Sequence, residues 1–96
     1  MNVREFTKLT SNQESPSGIS PLLLALWHAK RGDWEAAHNI AQDIETSDGS
    51  WVHAYLHRVE GDEWNAGYWY RRAGREFPNT DLNEEWESLV AYFLKK

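Results

Sequence analysis

The stretch "HAKRGDWEAA", residues 28–37, returns 29 residues later as "HRVEGDEWNA", residues 57–66. His28 falls on His57, Gly32 on Gly61, Asp33 on Asp62 and Ala37 on Ala66. In each copy a glycine and an aspartate separate two segments of helical apolar periodicity. The glycine can take the left-handed conformation that ends a helix, and the aspartate can cap the next one. The same tight turn is thus written twice, and it predicts two helical hairpins in series.

Working outward from these turns, Ser20 and Pro21 open a helix over 20–31, serine as N-cap and proline in the first turn. Asp33 opens a second over 34–46, with Trp34, Ala37, Ile40, Ala41 and Ile44 on one stripe until "ETSDGS" breaks it. Ser50 opens a third over 51–60, striped by Val52, Tyr55, Leu56 and Val59. Asp62 opens a fourth over 63–76, striped by Ala66, Trp69, Tyr70 and Ala73, with Pro78 just beyond its end. Asp81 and Glu84 form a capping box for a fifth over 82–95, whose Leu82, Trp86, Leu89, Val90, Phe93 and Leu94 make the cleanest amphipathic pattern. No segment reads as a strand. The expected fold is all-α: residues 20–96 form a single helical domain of two antiparallel hairpins plus a C-terminal capping helix. Trp27, Ile40, Val52, Leu56, Trp69, Tyr70, Trp86 and Leu89 are its expected core. Residues 1–19 mix Ser, Asn, Gln, Glu, Pro and Gly with scattered apolar residues and read as a flexible arm, although Phe6 and Leu9 offer it a way to dock.

The second hairpin resembles a tetratricopeptide or Sel1-like repeat, with Ala54 inside its first helix, Gly61 at the turn, then Ala66, Tyr70, Ala73 and Pro78. The first keeps Gly32 and Ala37 but has Ala41 where Tyr70 corresponds, and lacks the terminal proline. The resemblance implies stacked hairpins, with first helices lining an inner groove and the last helix covering the final apolar face. The strings "LWHAKRGDWEAAH" and "WVHAYLHRVEGDEWNAGYWYRRAG" also resemble a set of small bacterial proteins, and that resemblance supplies no activity.

Composition narrows the chemistry. A 96-residue chain with 41% apolar residues supports one core, and six tryptophans make that core aromatic. Without cysteine there is no disulfide framework, thiolate zinc site, iron–sulfur cluster or cysteine nucleophile. A net charge of −5 disfavours the phosphate neutralisation that nucleic-acid binding depends on. The first eighteen residues lack an apolar signal region, and the apolar run from Pro21 to Trp27 is too short to cross a bilayer. The expectation is a cytoplasmic protein with no membrane and no nucleic-acid partner.

Four histidines are the remaining chemistry. His53, His57 and Glu60 share one flank of the third expected helix, and the repeat gives His28 the position of His57. His38 lies about as far after the first turn as His28 lies before it. These five residues are the expected binding group, lining one partly buried cleft. Hydrogen bonding among them accounts for such a cleft without catalysis. The alternative is a metal- or small-molecule-binding protein, or an enzyme, that uses this histidine-lined cleft, with His53, His57 and Glu60 as the ligands if a metal is held. Trp64, Tyr68, Arg71 and Arg75 fall opposite the buried stripe of their helix and read as an interface. Asp33 and Asp62 are caps, and the six serines and threonines outside the arm sit at caps or loops with no triad-like setting. "SDGS" lacks a phosphate-loop lysine. No catalytic residue and no cofactor is called for. The reading is a helical-repeat interaction module that binds a protein segment or itself as a homodimer, through the groove between first helices and the Trp64 face.

Overall fold

The computed structural model describes residues 1–96 and contains six helices and no strand. They are α1 (Val3–Leu9), α2 (Pro21–Lys30), α3 (Trp34–Gln42), α4 (Ser47–Val59), α5 (Glu63–Ala73) and α6 (Leu82–Leu94). The expected local chemistry sets most boundaries. Ser20 Oγ accepts from the Leu23 N–H, and the Asp33, Asp62 and Asp81 carboxylates accept from the N–H groups of Ala36, Asn65 and Glu84. Gly32 and Gly61 have φ of 85° and 86°. In both turns the aspartate N–H donates to the carbonyl five residues back, Asp33 to His28 at 3.0 Å and Asp62 to His57 at 2.9 Å. The two turns therefore share one backbone geometry, and each leads from one helix into a neighbour packed against it, α2 with α3 and α4 with α5.

Three expectations need correction. The "SDGS" stretch does not break the chain. It is the first turn of α4, and Thr46 rather than Ser50 is the cap, its Oγ1 accepting from the Gly49 N–H at 3.0 Å. Gly49 is there for closeness, since a Cβ at that position would lie 1.9 Å from the Ile44 carbonyl oxygen.

Residues 1–19 are not simply an arm. A reciprocal capping box between Asn2 and Glu5 opens α1, and Phe6 is 0% exposed with its ring 6.0 Å from that of Trp86. The Trp27 indole N–H donates to the Leu9 carbonyl at 2.8 Å, and Arg31 donates to the carbonyls of Thr10 and Asn12. The docking that Phe6 and Leu9 offered is the outcome, and Val3, at helical spacing with them, meets the core as well.

The third correction concerns the inner groove. Helix α6 packs on α1, α2 and α4, so the face shared by α2 and α4 is filled by the chain itself. Trp86, Leu89, Val90 and Phe93 are buried there, and the Trp86 indole N–H donates to the Leu26 carbonyl at 2.9 Å. A buried polar knot pins the same layer. Glu85, 4% exposed, accepts from Arg58 Nη1 at 2.9 Å and from the Tyr70 hydroxyl at 2.7 and 2.6 Å, and Arg58 also donates to the Thr80 carbonyl. Burial, with the Glu85 carboxylate beside them, raises both the Tyr55 and the Tyr70 phenols above their ordinary range.

Of the expected core, Trp27, Val52, Leu56, Tyr70, Trp86 and Leu89 are buried, while Ile40 and Trp69 are half-buried. Val59, at the last residue of α4, is exposed. No helix is long and apolar enough to cross a membrane.

The docking of α1 is testable. Phe6→Ala should cost about 3 to 5 kcal/mol in urea denaturation, the range for removing a buried aromatic ring. A loss under about 1 kcal/mol, the scale of an exposed site, would show that α1 is not part of the core.

Candidate functional site

Successive residues on a helix turn by about 100°, so His53 and His57 stand one turn apart on one side of α4. Helix α3 lies beside α4 and brings His38 to meet them. His38 Nε2 and His53 Nε2 are 2.9 Å apart, one donating and the other accepting. The His53 and His57 rings stack with centroids 4.9 Å apart, and the His38 and His57 rings meet edge-on at 5.3 Å. Each of the three offers a ring nitrogen within 4.8 Å of the other two.

Two indoles hold these rings. Trp34 stacks on His38 at 4.6 Å and 13°, and Trp69 stacks on His53 at 3.9 Å and 18°. Trp34 is itself anchored, its indole N–H donating to the Leu56 carbonyl at 2.6 Å. Behind His57, the Glu60 carboxylate lies 2.6 Å from Nδ1, which fixes a proton on Nδ1 as the donor to it. Asp62, the cap of α5, is close enough to His57 and Glu60 for one oxygen to join them. Its carboxyl is held below the usual range by hydrogen bonds from the Asn65 side chain and N–H.

His53 is 6% exposed, while His38 and His57 are half-buried, so the cluster opens to solvent on the His38 and His57 side. Burial disfavours the imidazolium and lowers both His53 and His38, with neighbouring imidazoles adding to it, and the His53 pKa falls to about 4. A cavity of about 70 Å³ adjoins His53, lined among others by Gln42, Ser50, Trp69 and Arg72. A surface hollow of about 760 Å³ lies between α1 and α6, away from the histidines.

The structure thus gathers His38, His53, His57 and Glu60 and leaves out His28, whose ring packs edge-on against Trp27 at 5.0 Å. The repeat equates His28 with His57 in backbone position only. Helix α3 precedes α4 and supplies neighbours to His57, and α2 has no such helix before it in the repeat. Sequence reasoning missed Trp34 and Trp69 as walls of this site because both read as apolar-stripe residues. Their spacing from His38 and the register of α5 against α4 carried the missing signal.

At the expected interface, Trp64, Tyr68 and Arg71 are exposed on α5, Trp64 by 76%. Arg75 does not share that face. Its guanidinium lies 3.3 Å from the centroid of the Trp51 ring and 5.3 Å from that of Tyr92, because Gly74 ends α5 in the left-handed conformation and turns the chain toward α4 and α6. Arg72 takes its place in the patch, over Trp69 at 5.2 Å and Tyr68 at 5.8 Å.

No family model, curated protein or solved structure matches the chain.

His53 sets a pH dependence. Its folded pKa lies below the unfolded value near 6.5, so on acidification the unfolded chain takes up the proton first. Stability should be full above pH 6.5 and fall as pH drops toward 4. With a chelator present, the loss between pH 7 and pH 5 should be about 1 kcal/mol, half the full linkage value because the cluster is partly open to water. His53→Gln should lack this step in urea titrations at the two pH values, and an unchanged step would assign it to another group.

Proposed function

We propose that the chain is a small helical interaction module that binds a protein segment across the outer face of α3, α4 and α5. The observation that carries this reading is Trp64, 76% exposed on α5, one turn from the exposed Tyr68, whose hydroxyl accepts from Arg72 Nη1 at 3.2 Å while that guanidinium lies 5.2 Å from the Trp69 ring centre. Exposed aromatics with arginine among them are the residues that dominate binding energy at protein interfaces. Holding Arg72 in place before binding lowers the entropy cost of engaging a partner. Arg71 and Arg72 form a basic patch on a chain of net charge −5, so a segment carrying carboxylates is the complementary partner.

The resemblance to tetratricopeptide and Sel1-like repeats supports a binding role in general, though such scaffolds serve many functions. Their usual inner groove is not the surface offered, since α6 lies on α2 and α4. A second reading, a metal- or small-molecule-binding protein, is favoured by the three converging imidazoles.

Peptide display panned on the full chain tests the first reading. Enriched peptides should carry acidic residues, and Trp64→Ala with Tyr68→Ser should weaken them by about 2 kcal/mol, roughly thirtyfold. Peptides that bind the double variant equally well would contradict the reading. If sedimentation instead shows a dimer that the double variant abolishes, the occupant is a second copy of the chain.

A further inference from the structure

We propose that His38, His53 and His57 form a binding site for one divalent transition-metal ion, zinc or a close relative, coordinated through their Nε2 atoms. This goes beyond the interaction reading and does not depend on it. Imidazole nitrogens bind zinc at about 2.0 to 2.1 Å, so two of them on a tetrahedral ion lie about 3.3 Å apart. His38 Nε2 and His53 Nε2 already stand 2.9 Å apart, and the third imidazole offers its nitrogen within 4.8 Å of both. An ion would draw the third nitrogen from within 4.8 Å of the other two to about 3.3 Å.

The surroundings have the form of a ligand-holding shell. Glu60 on His57 Nδ1 makes a carboxylate–histidine pair, which presents Nε2 to a metal and raises its basicity. The indoles of Trp34 and Trp69 stack on His38 and His53 and limit their rings to motion in plane. The three ligands come from two helices, so an ion ties α3 to α4. Three imidazoles leave a fourth position for water or an exogenous ligand, on the open His38 and His57 side.

The proton balance is simple. In the metal-free pair one ring donates Nε2–H to the other's lone pair. Coordination needs both lone pairs, so the donor ring moves that proton to Nδ1 by exchange with solvent. For the His38–His53 pair this exchange makes both Nε2 lone pairs available with no net proton release.

Calorimetric titration of the chelator-treated full chain with Zn²⁺ tests the site, with Co²⁺ absorption as a second probe. One ion should bind per chain, and Co²⁺ should show the visible bands of a four-coordinate site. His38→Gln and His57→Gln, at half-buried positions, should each weaken Zn²⁺ at least tenfold while keeping wild-type helical circular dichroism. Glu60→Gln should weaken it about tenfold, as for loss of an outer-shell carboxylate. His28→Gln should leave it unchanged. No saturable binding by the wild-type chain would overturn the proposal. So would binding that survives His38→Gln and His57→Gln, which would place the ion elsewhere.

Discussion

The burial of the middle of α4 on every side is the constraint on which the rest of the structure depends. Trp51, Val52, His53, Ala54, Tyr55 and Leu56 are all buried. Six consecutive residues at about 100° each pass more than once around the helix, so along this stretch no face is left for water, whereas His57 and Arg58 just beyond it are half-buried. Helices α2, α3, α5 and α6 supply the cover. Gly49 permits the close approach to Ile44 that lets the chain enter this central position. A helix so enclosed cannot carry an unpartnered polar side chain without a cost of about 1 to 3 kcal/mol. His53 meets that requirement through His38, and Arg58, near the end of α4, meets it through Glu85. No buried side-chain nitrogen or oxygen is left without a partner.

These two polar contacts divide the molecule functionally. On one side Glu85 ties α4, α5 and α6 into a closed layer, with the Tyr70 hydroxyl and the Arg58 guanidinium both donating to the same carboxylate. Losing one member would strand the others, which is why such knots hold a fold in one arrangement. On the other side His38 and His53 join α3 to α4 by neutral imidazoles in a region half open to water. The first side is structural and the second is chemically versatile. With the α2–α4 face occupied by α6, the second side is where Trp34 stacks on His38, Trp69 on His53, and Arg72 lies over Tyr68.

Local chemistry was legible in the sequence, and long-range packing was legible only where a periodic pattern encoded it. The caps at Ser20, Asp33, Asp62 and Asp81 depend on side chains reaching backbone groups three residues away, and all four occur. The left-handed glycines 32 and 61 follow from the repeat itself. By contrast, Thr46 and Gly49 were hidden because a serine–aspartate–glycine–serine run has the composition of a breaker, and only contact with Ile44 shows why glycine is needed inside a helix. Phe6 was visible as a docking residue but its partner was not, because a single aromatic in a polar segment gains its burial from Trp86, eighty residues away in sequence. Three of the four histidines met because helical spacing and the adjacency of successive helices are both local rules. His28 failed because a sequence repeat conserves a turn, whereas the neighbours of a side chain depend on which helix lies beside it.

The claim that the enclosure of α4 makes a neutral, hydrogen-bonded imidazole cluster is tested most directly by nitrogen-15 NMR of the histidine rings across a pH titration of the metal-free chain. The account predicts that His53 stays neutral to about pH 4, that a nitrogen–nitrogen coupling links the His38 and His53 Nε2 atoms, and that His57 carries its proton on Nδ1. A His53 that titrates near the ordinary value of about 6.5 with no coupling to His38 would contradict it.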